Sequence, residues 1–329
     1  MIAPLAHETW FVRDDVASDW GFAGEALTLG LLAAALAVAV AFRAAARLRP
    51  GLDVSFLARM AAWMPFAVRI HLAVSLIGLL SLGVYLSPAM DLAFDLPGVL
   101  LGAVMALTGA LMIAGWHVRA AAWLLVAAGP VGMLEFGVLP VLQRIDLLGP
   151  AVFLLFSGPG RWSADWELGS LRDPSPEAVA RAVWSLRIAV GAALIIVAFV
   201  EKLAQPDLAL RFLAEYPQFN LAAELGLGWS DLSFIRVAGA IEVMFGLLLI
   251  SGALPQVVVL AAGIPFNATL FFFGEIELIG HLPIYGTMLV LLVYGSHPGL
   301  RPEVARLWPW GRGRGRRAPA GLAQPRQAH

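Results

Sequence analysis

Five side chains in the C-terminal half of this chain could do chemistry together: Lys202, Glu242, Asn267, Glu277 and His281. Lys202, preceded by Glu201, closes one long apolar run. Glu242 falls about two helical turns inside the same end of the next run. Asn267 lies near that end of the run after it, and Glu275, Glu277 and His281 open the last. Ionisable groups inside apolar helices are costly unless they pair or face water, so a shared depth points to a polar pocket. A quinone head group suits such a pocket. Lys202, His281 and Asn267 would donate to its carbonyls, with Glu277 beside them, and Glu242 and His281 would carry the protons that quinone reduction and oxidation require. His281 is the natural candidate for a group titrating near neutral pH. The alternative is structural: Lys202 and Glu242 form an interhelical salt bridge and Asn267 bonds a neighbouring helix, each contact contributing about 0.6–2 kcal/mol.

Other groups carry weaker signals. Glu135 sits in an apolar run with only Arg144 as a basic neighbour, which suits either a proton relay or a carboxyl bonded to a backbone carbonyl. Arg69 and Arg187 open two runs and read as snorkelling anchors. The histidines show no spacing expected of a haem or metal site, and none is predicted. There is no cysteine, which removes thiolate nucleophiles and Cys-ligated clusters, so a redox role needs a bound cofactor, a substrate or a partner.

The elements that position these groups are membrane helices. Of 329 residues, 60% are hydrophobic and 14% charged, against roughly 25% charged in a soluble domain. The apolar residues fall in runs long enough to cross a bilayer. The expected fold is all-α integral membrane, with about nine spans at 25–43, 64–87, 97–115, 119–140, 143–157, 186–204, 234–252, 254–274 and 278–295. The fifth is short and could be partly re-entrant. Arginines gather in the connections after the first, third and fifth spans and in the tail from 297. By the positive-inside rule those segments face the cytoplasm, which leaves the N-terminus outside, in the periplasm of a bacterial inner membrane. The opposite connections are acidic, with Glu8, Asp91, Asp95, Asp207, Glu215 and Asp231 among them. The tail Gly311-Arg312-Gly313-Arg314 reads as a basic topology signal that touches anionic lipid, not as a nucleic-acid binder.

The chain also repeats. Arg69-Ile70 and Arg187-Ile188 stand 118 residues apart, as do Pro88 and Pro206. Gly102-Ala103 pairs with Gly239-Ala240, and Asp146-Leu147-Leu148-Gly149 with Glu277-Leu278-Ile279-Gly280. The expected organisation is a periplasmic segment (1–24), one extra helix (25–43), two parallel four-helix-bundle repeats (64–157 and 183–296) joined by a cytoplasmic linker (158–182), and a basic tail (297–329).

The second repeat resembles the DoxX family of small four-helix bacterial membrane proteins. The resemblance rests on Arg187-Ile188-Ala189-Val190-Gly191, then Phe199-Val200-Glu201-Lys202-Leu203 and Pro206, then Gly239-Ala240-Ile241-Glu242-Val243-Met244-Phe245-Gly246. The first repeat reads as a degenerate copy, with Val84 in place of Lys202 and Met105 near the position of Glu242. What the resemblance implies is a membrane component of a redox system akin to thiosulfate:quinone oxidoreductase. Two other functions fit: a non-catalytic anchor or assembly factor for a periplasmic redox protein, docking on the N-terminal segment and the 205–233 loop, or a small-solute transporter, for which Pro130 and Pro265 mark corresponding helices. A homo-oligomer fits all three. The stretch 206–227, with apolar and charged residues interleaved, could lie on the membrane, dock a partner or cover the pocket.

Overall fold

The structure is a computed structural model, and it describes residues 8–12, 16–48, 51–169 and 174–310. The basic tail from residue 311 therefore lies outside the described residues. The described chain is helical, and eight of its helices are long and apolar enough to cross a membrane. In chain order the principal helices are α1 (Ala26–Ala45), α2 (Met64–Ser81), α3 (Leu96–Ala114), α4 (Val118–Phe136), α5 (Leu148–Ser157), α6 (Pro176–Val197), α7 (Pro206–Glu215), α8 (Asp231–Ser251), α9 (Pro255–Phe273) and α10 (Glu275–Ser296). All but α5 and α7 are full spans, so the chain is a multi-pass membrane protein.

The fifth predicted span is the broken one. A short helix, Val138–Gln143, leads through a 3-10 turn, Ile145–Leu147, into the ten residues of α5. Two other boundaries differ from expectation. The run 64–87 ends as helix at Ser81 because Gly83 takes a left-handed φ of 75° and Val84 bridges to Asp91, turning apolar residues 84–86 back into the core. The 186–204 span begins ten residues earlier, at Pro176, where the Ser175 side chain accepts from the Ala178 N–H, so residues 176–182 belong to helix and not to a linker.

Helices α2, α3, α4 and α5 close into one four-helix bundle, and α6, α8, α9 and α10 into a second, with α1 packed on α8. The two bundles share matching punctuation. Gly115 and Gly252 end the second helix of each in the left-handed conformation, His117 and Leu254 start the third helix with positive φ, and Gly137 and Gly274 separate the third from the fourth. Each of these pairs stands 137 residues apart. The bundles are interleaved: α5 packs on α6, and α10 on α2, so the first helix of each lies against the fourth of the other. Lipid supplies no hydrophobic drive between helices, so close packing must hold them together. At the α6–α8 crossing, a Cβ on Gly191 would sit 2.7 Å from the Gly246 carbonyl oxygen, and one on Gly246 would sit 2.6 Å from that of Gly191. Only two glycines allow that approach.

Arg69 and Arg187 do not snorkel. Both are fully buried. Helix C-termini leave unpaired carbonyls, and in a membrane such groups cost several kcal/mol each if unsatisfied. Arg69 donates to Met112 and to Ile113 (2.9 Å) at the end of α3, and to Pro159 (3.1 Å) and Trp162 (2.7 Å) in the loop after α5. Arg187 donates to Ile250 (3.0 Å) at the end of α8 and to Val304 and Arg306 (3.0 Å) after α10. The repeated arginine is thus a clamp on carbonyls, used once in each bundle.

Candidate functional site

The face that carries Glu8 (here the acidic face) holds a buried polar network. Its foundation is an irregularity in α6. From Ala198 to Leu203 the chain widens into a π-helix, shown also by the Ala204 N–H donating to Phe199 at 2.7 Å. A π turn inserts a residue and re-aims the side chains it carries, and such turns are frequent at functional sites. Here it carries Glu201 and Lys202, both buried.

Lys202 stands between two carboxylates. Its Nζ lies 3.1 Å from Oε1 of Glu8 and 3.2 Å from Oε1 of Glu242, and all three groups are buried. Glu201 accepts from the Glu8 backbone N–H (2.5 Å), the Thr9 hydroxyl (2.7 Å) and Gln143 Nε2 (2.8 Å). The N-terminal segment is therefore built into the site. Burial pushes the Glu8 carboxyl up to about 8, against the pull of the Lys202 ammonium.

A second layer lies beside the first. His281 Nδ1 is 3.5 Å from Glu277 one turn earlier, and its ring is stacked on Trp10, with centroids 5.1 Å apart, and edge-on to Phe266. Arg144 Nη2 lies 3.3 Å from Asp146 and donates to the Gly280 carbonyl at 2.8 Å, while its guanidinium faces the Trp10 ring. Trp10 can approach because Gly280 offers no side chain there; a Cβ would collide with the indole. Helix α7 covers the assembly. Its Leu208, Phe212 and Leu213 pack with Val12, Phe219 and Phe234 into an aromatic-rich cap.

Of the predicted site residues, Lys202, Glu242, Glu277 and His281 share this buried acidic end. Asn267 does not. It is exposed on α9 and donates to its own helix, to the Gly263 carbonyl at 2.7 Å. Depth along the helix was right and the face was wrong. Glu135 is likewise exposed, near the end of α4. Glu8, Gln143, Arg144 and Asp146 complete the site from outside the second repeat. Asp146 was within reach of the sequence, because the repeat alignment sets it on Glu277; nothing in the spacing of Glu8 announces its role. Among the described residues no group of three or more His, Asp or Glu side chains is arranged to hold a metal ion.

The network is close-packed. Asp146 and Glu242 line one void of about 10 Å³, and Glu8 and Lys202 another of the same size. Each has room for about one water. Lys202, Glu242 and His281 are themselves buried, with Glu8 packed on Lys202 and Trp10 on His281. No family model, curated protein or solved structure matches the chain.

Proposed function

We propose that the protein is the membrane subunit of a quinone-linked redox system, in line with its DoxX resemblance, and that the acidic-face network is its proton-exchanging element. One observation supports this most directly. Among the described residues, two buried carboxyls, Glu8 and Glu242, face the single ammonium of Lys202, with Asp146, Glu201 and Glu277 buried beside them. Two carboxyls facing one ammonium in a low-dielectric setting favour holding a proton between them. The carboxyls form a chain from the acidic surface inward: Glu8 and Glu242 both touch Lys202, and Glu242 and Asp146 share a water-sized void. Reduction of a quinone to the quinol takes two electrons and two protons. The network supplies and returns the protons; the electrons come from a reduced donor, a small sulfur compound or a partner protein, at the acidic face. The arginine-rich connections support a reading in which that face is the periplasmic side of a bacterial inner membrane.

The experiment is extraction of bound quinone from protein purified in mild detergent, followed by stopped-flow proton uptake on quinone reduction, in wild type and Glu242→Gln. Stoichiometric quinone, with proton uptake slowed at least tenfold by the substitution, supports the reading. Absence of quinone from wild type, with none taken up on addition, sinks it.

A further inference from the structure

Residues 8–12 enter the site from outside both bundles. They form one short 3-10 turn, Glu8–Trp10, closed on itself: the Phe11 and Val12 N–H groups both donate to the Glu8 carbonyl, at 3.1 and 2.9 Å. Side chains fasten this segment to the bundles. Glu201 accepts from the Glu8 N–H (2.5 Å) and the Thr9 hydroxyl (2.7 Å), and Lys202 holds the Glu8 carboxylate at 3.1 Å. The Trp10 indole stacks on His281 against the bare Gly280, and Phe11 stacks on Phe273. With the segment in place, Glu201, Lys202, Glu242 and His281 are at most 4% exposed.

Docking brings a third carboxyl to a place that already has two. Glu8 lies beside Glu201 on the π turn and Glu242 on α8, and the cation facing it is Lys202. From α7, Phe212 and Leu213 line the same water-sized void as Glu8, while Asp207, Arg211 and Glu215 stand on the exposed side of that helix. Trp10 meets His281, with Glu277 behind it, and the Arg144 guanidinium, itself paired with Asp146. Carboxylates crowded into a low-dielectric site repel one another, so the site holds a protonated Glu8 more firmly than an ionised one. Burial acts in the same direction, pushing the Glu8 carboxyl up to about 8 against the pull of Lys202.

We propose that residues 8–12 are a strap that closes the buried network to the aqueous acidic side and opens it when Glu8 gives up its proton. Closed, Glu8 sits on Lys202 and Trp10 on His281. The proton passes from the Glu8 carboxyl to water, the carboxylate is repelled by Glu201 and Glu242, and withdrawal of the strap turns Lys202, Glu201 and His281 to solvent. A proton returning to Glu8 reverses the movement. The docked form carries the extra proton, so docking is complete at low pH and is lost as the pH rises through about 8. As regulation of proton exchange the strap rests on the redox reading above, but its opening is a property of these residues and is measured without quinone.

The test is hydrogen exchange of the full chain in nanodiscs, read by mass spectrometry at residues 8–12 and corrected for the intrinsic pH dependence of amide exchange. Hydroxyl-radical labelling of His281 runs beside it, in wild type, Glu8→Gln and Trp10→Ala. In wild type, protection at residues 8–12 should fall about tenfold or more between pH 6 and pH 8.5, and His281 labelling should rise with it. Glu8→Gln cannot ionise and should give the same two readouts at both pH values. Trp10→Ala should leave His281 labelled at both. Wild-type protection that does not change with pH overturns the strap whether or not the variants fold, as does protection that falls while His281 stays unlabelled. A fall of the same size in Glu8→Gln overturns it too, because the trigger is then another group. Each of these results leaves the redox reading to its own quinone test, and absence of quinone beside a strap that opens as expected removes that reading and not the strap.

Discussion

Replacing Lys202 by Met tests the network at its centre. The methionine preserves the length of the stem, so packing changes little while the charge goes. Lys202 touches Glu8 at 3.1 Å and Glu242 at 3.2 Å, and all three side chains are at most 5% exposed. Removing one partner of a buried ion pair costs about 3–5 kcal/mol, chiefly because the remaining charge is stranded. Here two carboxylates are stranded by one substitution, so the upper part of that range is expected at pH 8. Removing the carboxylates as well should restore much of the loss: Lys202→Met with Glu8→Gln and Glu242→Gln leaves no buried charge among the three. The coupling between the lysine and the pair of glutamates should therefore be about 2–3 kcal/mol, well outside the additive limit for independent sites. The single variant can also neutralise its stranded carboxyls by binding protons, so its deficit should shrink as the pH falls from 8 to 5. The assay is unfolding in detergent or bicelles followed by Trp fluorescence, run as a full cycle at both pH values. A Lys202→Met deficit under 1 kcal/mol at pH 8, or effects that simply add, would show that these three groups do not form one charge-balanced unit.

Four further outcomes follow from the geometry. The Glu8 carboxyl titrates near 8 when docked and near 4.5 when free, so the docked form holds the extra proton between those values and docking weakens as pH rises through that window. Trp10 fluorescence should report this, and Glu8→Gln should flatten the profile. Gly252→Ala should destabilise by more than about 1–2 kcal/mol, since its φ is 68° and a Cβ would strike the Arg187 guanidinium, whereas Gly30→Ala meets nothing and should be neutral or slightly stabilising in the same melt. Arg187→Met strands the carbonyls of Ile250, Val304 and Arg306 and should cost on the order of 3 kcal/mol, with faster hydrogen exchange at residues 301–306. Asn267→Ala should change the melting midpoint by less than a degree, being exposed and bonded only within its own helix.

The sequence disclosed the spans because apolar runs of membrane length have few other uses. Its errors arose where a local signal overrode the run. Gly83 stopped a helix inside an apolar stretch, and Ser175-Pro176 started one in a stretch whose Glu177 and Arg181 resembled a loop. The Lys202–Glu242 contact was legible because both charges share a depth on neighbouring helices. Depth alone could not place Asn267, since α9 is apolar on every side and its sequence marks no preferred face. Glu8 was illegible for another reason: a carboxylate in an acidic terminal segment looks like solvent-facing charge until the fold shows it folded back under α7. Arginines 69 and 187 were correctly paired by the repeat, but position at a helix end could not distinguish a residue reaching for headgroups from one gripping carbonyls.

The interleaving of the two bundles also sets what the molecule can do mechanically. At the acidic face the seam between them is crossed by Gln143 bonding to Glu201 and by Arg144 bonding to Gly280, all buried, and deeper in the bundle by Ser185 bonding to Gly149. Alternating access needs one half to rock against the other, opening such a seam to water in every cycle. Here that movement would pull a guanidinium and a carboxylate away from their partners inside the protein. The seam is stapled at three buried positions, so opening it would leave those polar groups without their partners inside the protein.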